Sequence, residues 1–200
     1  MPLIKGGRGS VTPRATLQPA LDGSDAESRW TAARALAGQA DAVPELAAAL
    51  RRETVPRVRE AILTSLIRTG GSASAEAIVP CLRSEDAGLR AAAIEALQAM
   101  PLAISPMMVQ LFSDPESDVR LLATELARNM KACDATPLLC DLIEQEPHPN
   151  VCAAAIEVLA EVGTPEALPA LERCAVRFTS TPFLPFAISM AIARISGMEG

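Results

Sequence analysis

An all-α solenoid of about five helical hairpins, closed by half units, is the fold class the sequence predicts, and three observations predict it. Alanine and leucine dominate a 200-residue chain that is 50% hydrophobic and only 2% aromatic, which favours helix over sheet. Apolar-Arg dipeptides recur every 30 to 32 residues, at Val58-Arg59, Leu89-Arg90 and Val119-Arg120, with Ser28-Arg29 before them and Val151-Cys152 after. Each is followed by small apolar residues three to five positions on and usually leucine eight on, which is one face of a helix.

These first helices read SRWTAARALAG, VREAILTSLIRTG, LRAAAIEALQAM, VRLLATELARNM and VCAAAIEVLAEVG. They stop at Gly38, Gly70, Met100-Pro101, around Lys131 and at Gly163, where glycine caps a helix or proline prevents its continuation. A second, shorter helix follows in each unit and shares a proline with leucine or methionine two residues on: VPELAAAL, VPCL, SPMMVQLF, TPLLCDLI and LPALERC. Proline belongs in a first helical turn, where its missing N–H has no intrahelical partner. Acid-rich connectors such as RSEDAG, SDPESD and EQEPHPN supply caps for the next helix.

The units are thereby placed at 20–50, 51–82, 83–112, 113–143 and 144–174 of a single repeat domain spanning 13–197. Residues 13–21 form a leading half unit, 178–196 a closing cap and 1–12 a flexible tail. One hairpin cannot cover its own apolar faces, so neighbours must stack and share a core, and the cap, with Phe178, Phe183 and Phe186, covers the last exposed end.

The recurring D/S-x-x-V/L-R-x-A-A-x-x-x-L followed by P-x-L, as in SEDAGLRAAAIEAL and SDPESDVRLLATEL, resembles the HEAT-like repeat named after phycobilisome lyases. The resemblance covers roughly residues 20–174 and implies a HEAT-type α-solenoid, a fold that serves scaffolds, adaptors, bilin lyases and nucleic-acid enzymes alike. The first unit departs from the pattern with Ser28, and the fifth with Cys152 in place of arginine. The resemblance further implies that the column Arg29, Arg59, Arg90 and Arg120 is a structural ladder pairing with aspartates of neighbouring repeats, with Asp25, Asp86 and Asp118 at hand.

A formal net charge of -6 and a pI near 4.9 repel a phosphate backbone, so nucleic acid is not the expected partner. The most apolar stretch, Phe183 to Ile195, is too short to span a bilayer and carries Arg194, so it reads as a terminal core helix and no membrane partner is expected. MPLIKGGRGSVT has no apolar run of signal-peptide length, and a cytoplasmic protein is the expectation. Cys81, Cys133, Cys140, Cys152 and Cys174 lack any Cys-x-x-Cys pair and read as buried, reduced thiols.

No nucleophile elbow, glycine-rich phosphate loop or HExxH motif is present, so no catalytic residue, cofactor or metal site is assigned. His148 reads as a residue of the turn Pro147-His148-Pro149-Asn150, with Asn150 capping the next helix. The position after each shared proline is Glu45, Cys81, Met107, Leu138 and Ala170, and with Asp141 these are the candidate partner-binding residues. In HEAT-like arrays the second helices line the concave side, so this column is either an apolar stripe in a groove or packing between repeats. Residues 1–68 carry ten Lys or Arg against seven acids, whereas 132–172 carry eight acids and no Lys or Arg. Such an acidic region is either a solvated surface or a docking face for a basic partner.

The expected function is a non-catalytic adaptor or scaffold presenting a helical surface to another protein. Its size and alanine-rich style resemble bacterial stand-alone HEAT proteins, including those of chemosensory signalling. A phycobilin-lyase-like subunit handling a tetrapyrrole is the alternative the resemblance allows. One tryptophan, one histidine and no tyrosine to hold a chromophore count against it. A HEAT-like DNA glycosylase would need a basic surface that the acidic second half does not supply.

Overall fold

The computed structural model describes residues 21–178 and 183–197, where every element is helical. The expected tail 1–12, residues 13–20 of the leading half unit, and 179–182 and 198–200 lie outside the described residues. The chain divides into two compact units, Met1–Thr69 and Gly70–Gly200. The division falls at Gly70-Gly71, whose φ angles of 69° and 75° lie in the left-handed region that glycine enters without a Cβ penalty.

In the first unit, α1 (Ala26–Ala35) and α2 (Val43–Arg52) both pack on α3 (Pro56–Thr69). Asp25 starts α1 by accepting the Ser28 N–H at 2.8 Å, satisfying one of the four donors every helix start leaves unpaired. Leu36, Leu46, Leu50, Ile62 and Leu66 are fully buried, each burial contributing ~2 kcal/mol before entropy is counted. Ser65 is buried at the α1–α3 contact, its Oγ 2.8 Å from the carbonyls of Ala33 and Ala61. Arg34 and Arg57 stack on Trp30, each 4.5 Å from its ring centroid.

The second unit contains α4 (Gly71–Ile78), α5 (Ala87–Gln98), α6 (Pro101–Ile104), α7 (Met108–Phe112), α8 (Ser117–Ala127), α9 (Ala132–Gln145), α10 (Pro149–Val162), α11 (Leu168–Arg177) and α12 (Phe183–Gly197). The long helices α5, α8, α10 and α12 stack in succession, α9 packs beside α10, and α11 packs on α9 and α12. Gly163 ends α10 where only glycine fits, because a Cβ there would lie 2.3 Å from the Leu159 carbonyl oxygen. Among the described residues no single helix is long and apolar enough to cross a membrane.

The shared prolines do not all open helices. Pro137 lies inside α9, which starts five residues earlier at Ala132. Pro80 lies in the 3-10 turn Val79–Arg83 that ends its second helix, and Pro106 in the 3-10 turn Ser105–Met107 that separates α6 from α7. The residues before each proline already bury apolar surface and coil helically, so the missing N–H falls within or at the end of a helical stretch instead of at its start. Asn150, expected as a cap, is within the first turn of α10, because Pro149 opens that helix and His148 takes the capping position.

Each ladder arginine donates to the carbonyl six residues before it: Arg29 to Gly23 at 2.9 Å, Arg59 to Glu53 at 2.7 Å, Arg90 to Ser84 at 2.6 Å and Arg120 to Asp114 at 2.7 Å. Connector carbonyls have no helical partner, and a guanidinium at the start of the following helix satisfies them. Two of the arginines also hold glutamates from the next connector. Arg29 grips Glu53 at 2.7 and 3.1 Å, and Arg120 grips Glu146 at 2.6 and 2.8 Å. Asp25 and Asp86 cap α1 and α5. In the fifth unit Cys152 keeps the same register, its Sγ 3.5 Å from the Glu146 carbonyl, and Arg177 of α11 brings a guanidinium to the carbonyls of Ile143, Glu144 and Glu146.

The Arg29 bond holds the Glu53 carboxyl below its ordinary pKa of 4.5. Burial opposes ionisation of Glu146, but the Arg120 guanidinium and the His148 N–H outweigh it and hold its carboxyl low as well. Arg120→Ala should lower the unfolding free energy in urea by about 3–5 kcal/mol, because it strands a buried carboxylate. Loss of the exposed Arg57–Glu27 pair should cost less than about 1 kcal/mol.

A carboxyl with a lowered folded pKa stabilises above its unfolded value and stops doing so as pH falls through the folded one. The contribution of Glu53 and Glu146 should therefore be complete at neutral pH and be lost progressively as pH falls from about 4.5 through their lower folded values. Glu146→Gln should flatten that acid limb, measured as unfolding free energy against pH.

Candidate functional site

An open groove of about 450 Å³ separates α7 from α9 in the second unit. Val109 and Phe112, three residues apart, form the α7 wall. Leu138, Asp141, Leu142 and Gln145 form the other, and their spacing of three, four and seven residues places them on one face of α9. The Arg120–Glu146 pair and Asp114 close one end. Asp114 is held by Arg83 and by the Glu116 N–H at 3.0 Å, so the end of the groove is a fixed polar frame.

The groove walls differ sharply in exposure. Phe112 and Leu142 are 8% and 6% exposed and belong to the core, whereas Val109 is 63% exposed, Leu138 half-buried, and Asp141 and Gln145 exposed. Asp141 has no ion-pair partner among the described residues. Its neighbour Glu144 is paired with Arg173, and Glu157 and Glu161 are both paired with Arg128.

Of the six partner-binding candidates, the groove brings together Leu138 and Asp141. Met107 is half-buried in the 3-10 turn preceding α7, and Glu45 is half-buried on α2 in the first unit. Cys81 and Ala170 are 5% and 2% exposed and pack inside. Val109 escaped sequence reasoning because the column was counted from the proline. The 3-10 turn at Ser105–Met107 winds three residues per turn, shifts the register, and turns Val109 outward while Met108 is buried.

The closing helix also divides otherwise than expected. Leu184, Ile188, Ala191 and Ile195 form its buried stripe, while Phe183, Phe186 and Met190 are 47%, 71% and 50% exposed. Helical period puts the aliphatic residues on the face toward α10 and the aromatic ones opposite. The thiols are also more varied than expected: Cys81, Cys152 and Cys174 are buried, but Cys133 is exposed and Cys140 partly so. The early start of α9 puts Cys133 in its first, solvated turn. Burial and the neighbouring acids push the Cys140 thiol up to about 11, so it stays protonated at neutral pH. Among the described residues no three His, Cys, Asp or Glu side chains converge as a metal site would require.

A family model for HEAT repeats matches residues 14–98 and 104–178. No curated protein shows significant similarity to the chain. Solved structures with a similar course include an engineered protein at 18% identity and TM-score 0.46, covering 91% of this chain and 98% of that one. Others are a designed armadillo repeat protein in complex with peptide (KR)4, at 15% identity, TM-score 0.46 and 90% and 98% coverage, and the complex of CpcE and CpcF of phycocyanin lyase from Nostoc sp. PCC7120, at 20%, 0.45, and 88% and 76%. All three fall below a TM-score of 0.5 and add nothing about function.

Asp141→Asn and Val109→Ser should change the unfolding free energy by less than about 0.5 kcal/mol, as solvated side chains do. Leu142→Ala, on the same face but buried, should cost about 2–5 kcal/mol. Urea unfolding of the three variants checks that the groove surface and the core beneath it are energetically separate.

Proposed function

Because the chain belongs to the HEAT repeat family, we propose that it is a non-catalytic adaptor whose second helices hold another protein. The observation that carries this reading is the groove between α7 and α9, where exposed Val109 faces half-buried Leu138 in a concave site on a rigid frame. Adaptor work needs shape and a fixed surface, and the buried Arg120–Glu146 pair supplies the fixity.

Partner-binding candidates on this reading are Met107, Leu138 and Asp141, joined by Val109. Glu45, Cys81 and Ala170 contribute by shaping their own helices. The acidic stretch 132–172 favours a partner with a basic surface, and neither nucleic acid nor membrane is part of the proposal. A cytoplasmic bacterial protein of signalling, chemosensory signalling included, is the setting in which we place it. The tetrapyrrole alternative gains little from this site, where the single aromatic ring, Phe112, is 8% exposed.

Affinity capture from native extract, comparing the unaltered chain with a Met107→Glu, Leu138→Glu variant of unchanged circular dichroism, tests the reading. The same protein captured by the unaltered chain and lost by the variant supports an adaptor working through this face. Equal capture by both sinks the assignment of the face. Failure to capture any protein, together with a visible absorbance change on adding bilin, would replace the adaptor with the chromophore-handling reading.

A further inference from the structure

We propose that the α7–α9 groove holds a short linear segment of the partner in which an arginine or lysine meets Asp141 while an adjacent apolar side chain enters between Val109 and Leu138. This rests on the adaptor reading and narrows the partner to one chemistry.

Charge decides the sign of the occupant. Three carboxylates line the groove, Asp114, Asp141 and Glu146, against the single guanidinium of Arg120. That guanidinium is consumed by Glu146 and by the carbonyls of Asp114 and Pro115. Asp114 is neutralised by Arg83. Asp141 alone of the three is exposed and has no ion-pair partner among the described residues. An anionic segment would be repelled, and a wholly apolar one would strip water from the Asp141 carboxylate with nothing in return. A cation removes that penalty.

Two further features fix the form of the segment. Gln145 lies one helical turn beyond Asp141 on the same face, so a planar guanidinium reaching the carboxylate finds a second acceptor, the amide oxygen, beside it. The groove, about 450 Å³, accommodates a few side chains and not a globular surface. On α9 itself Asp134, one turn before Leu138, also lacks an ion-pair partner among the described residues, and its charge adds to that of Asp141 in drawing a cationic segment toward this helix.

The test uses the full chain and a phage-displayed library of random peptides about a dozen residues long. Selected peptides are labelled and their affinities read by fluorescence anisotropy on the unaltered chain, Asp141→Asn and Val109→Ser. The expected result is peptides that pair arginine or lysine with an apolar neighbour, weakened about five- to tenfold by either substitution and weakened further by added salt. Selected peptides without a cation, peptides that bind Asp141→Asn as tightly as the unaltered chain, or no selected peptide at all would each overturn the proposal. The adaptor reading is separable, because it stands or falls on whether the Met107→Glu, Leu138→Glu variant still captures its protein.

Discussion

A guanidinium bonded to the carbonyl six residues upstream fixes where each connector leaves one hairpin and enters the next. Connectors between stacked helices carry carbonyls that neither helix can satisfy, and burying them unpaired would cost about as much as a lost hydrogen bond each. Arg29, Arg59, Arg90 and Arg120 answer that demand in the same way, through bonds of 2.6 to 2.9 Å. Because a guanidinium has five donors, Arg29 and Arg120 have enough left to take a whole carboxylate from the following connector. Each of these two residues thus ties three stretches of chain together, and helix positions follow from it.

The site inherits its geometry from this clamp. Arg120 and Glu146 stand at one end of the groove, so the separation of α7 and α9 is held by a buried ion pair and not by the side chains that face solvent. Core packing and solvent exposure fall to different residues on the same helix face. Leu142 packs inward and Asp141, its chain neighbour, points out. Such a division lets the surface vary without loss of the frame.

Much of the fold was legible because its signals are local. The spacing of Arg59, Arg90 and Arg120 gave the repeat, and the apolar positions after each gave the first helices that the structure contains. Glycine stops were legible for the same reason, as at Gly163, where no side chain fits. The second helices were less so, because a shared proline can open a helix, as Pro44 and Pro169 do, or sit inside one that has already begun, as Pro137 does. The choice depends on whether the preceding residues find core to bury, which spacing alone does not state. Val109 was hidden by the same effect, since a single 3-10 turn changes which side chain faces out. Nothing in the sequence sets Glu53 and Glu146 apart from other connector acids, and only three-dimensional packing sets them against Arg29 and Arg120.

The fifth unit shows what the clamp permits. Its first helix has Cys152 where the others have arginine, yet the Glu146 carbonyl still receives a guanidinium, delivered by Arg177 from the neighbouring helix. What is constant across the units is a positive donor at a point in space, and more than one place in the sequence can supply it. A repeat of this kind can therefore lose its signature residue and keep its function in the stack, provided a compensating arginine arises on the paired helix. Degenerate units of such arrays are better recognised by asking which side chain can reach the orphan carbonyl than by asking whether the consensus letter is present.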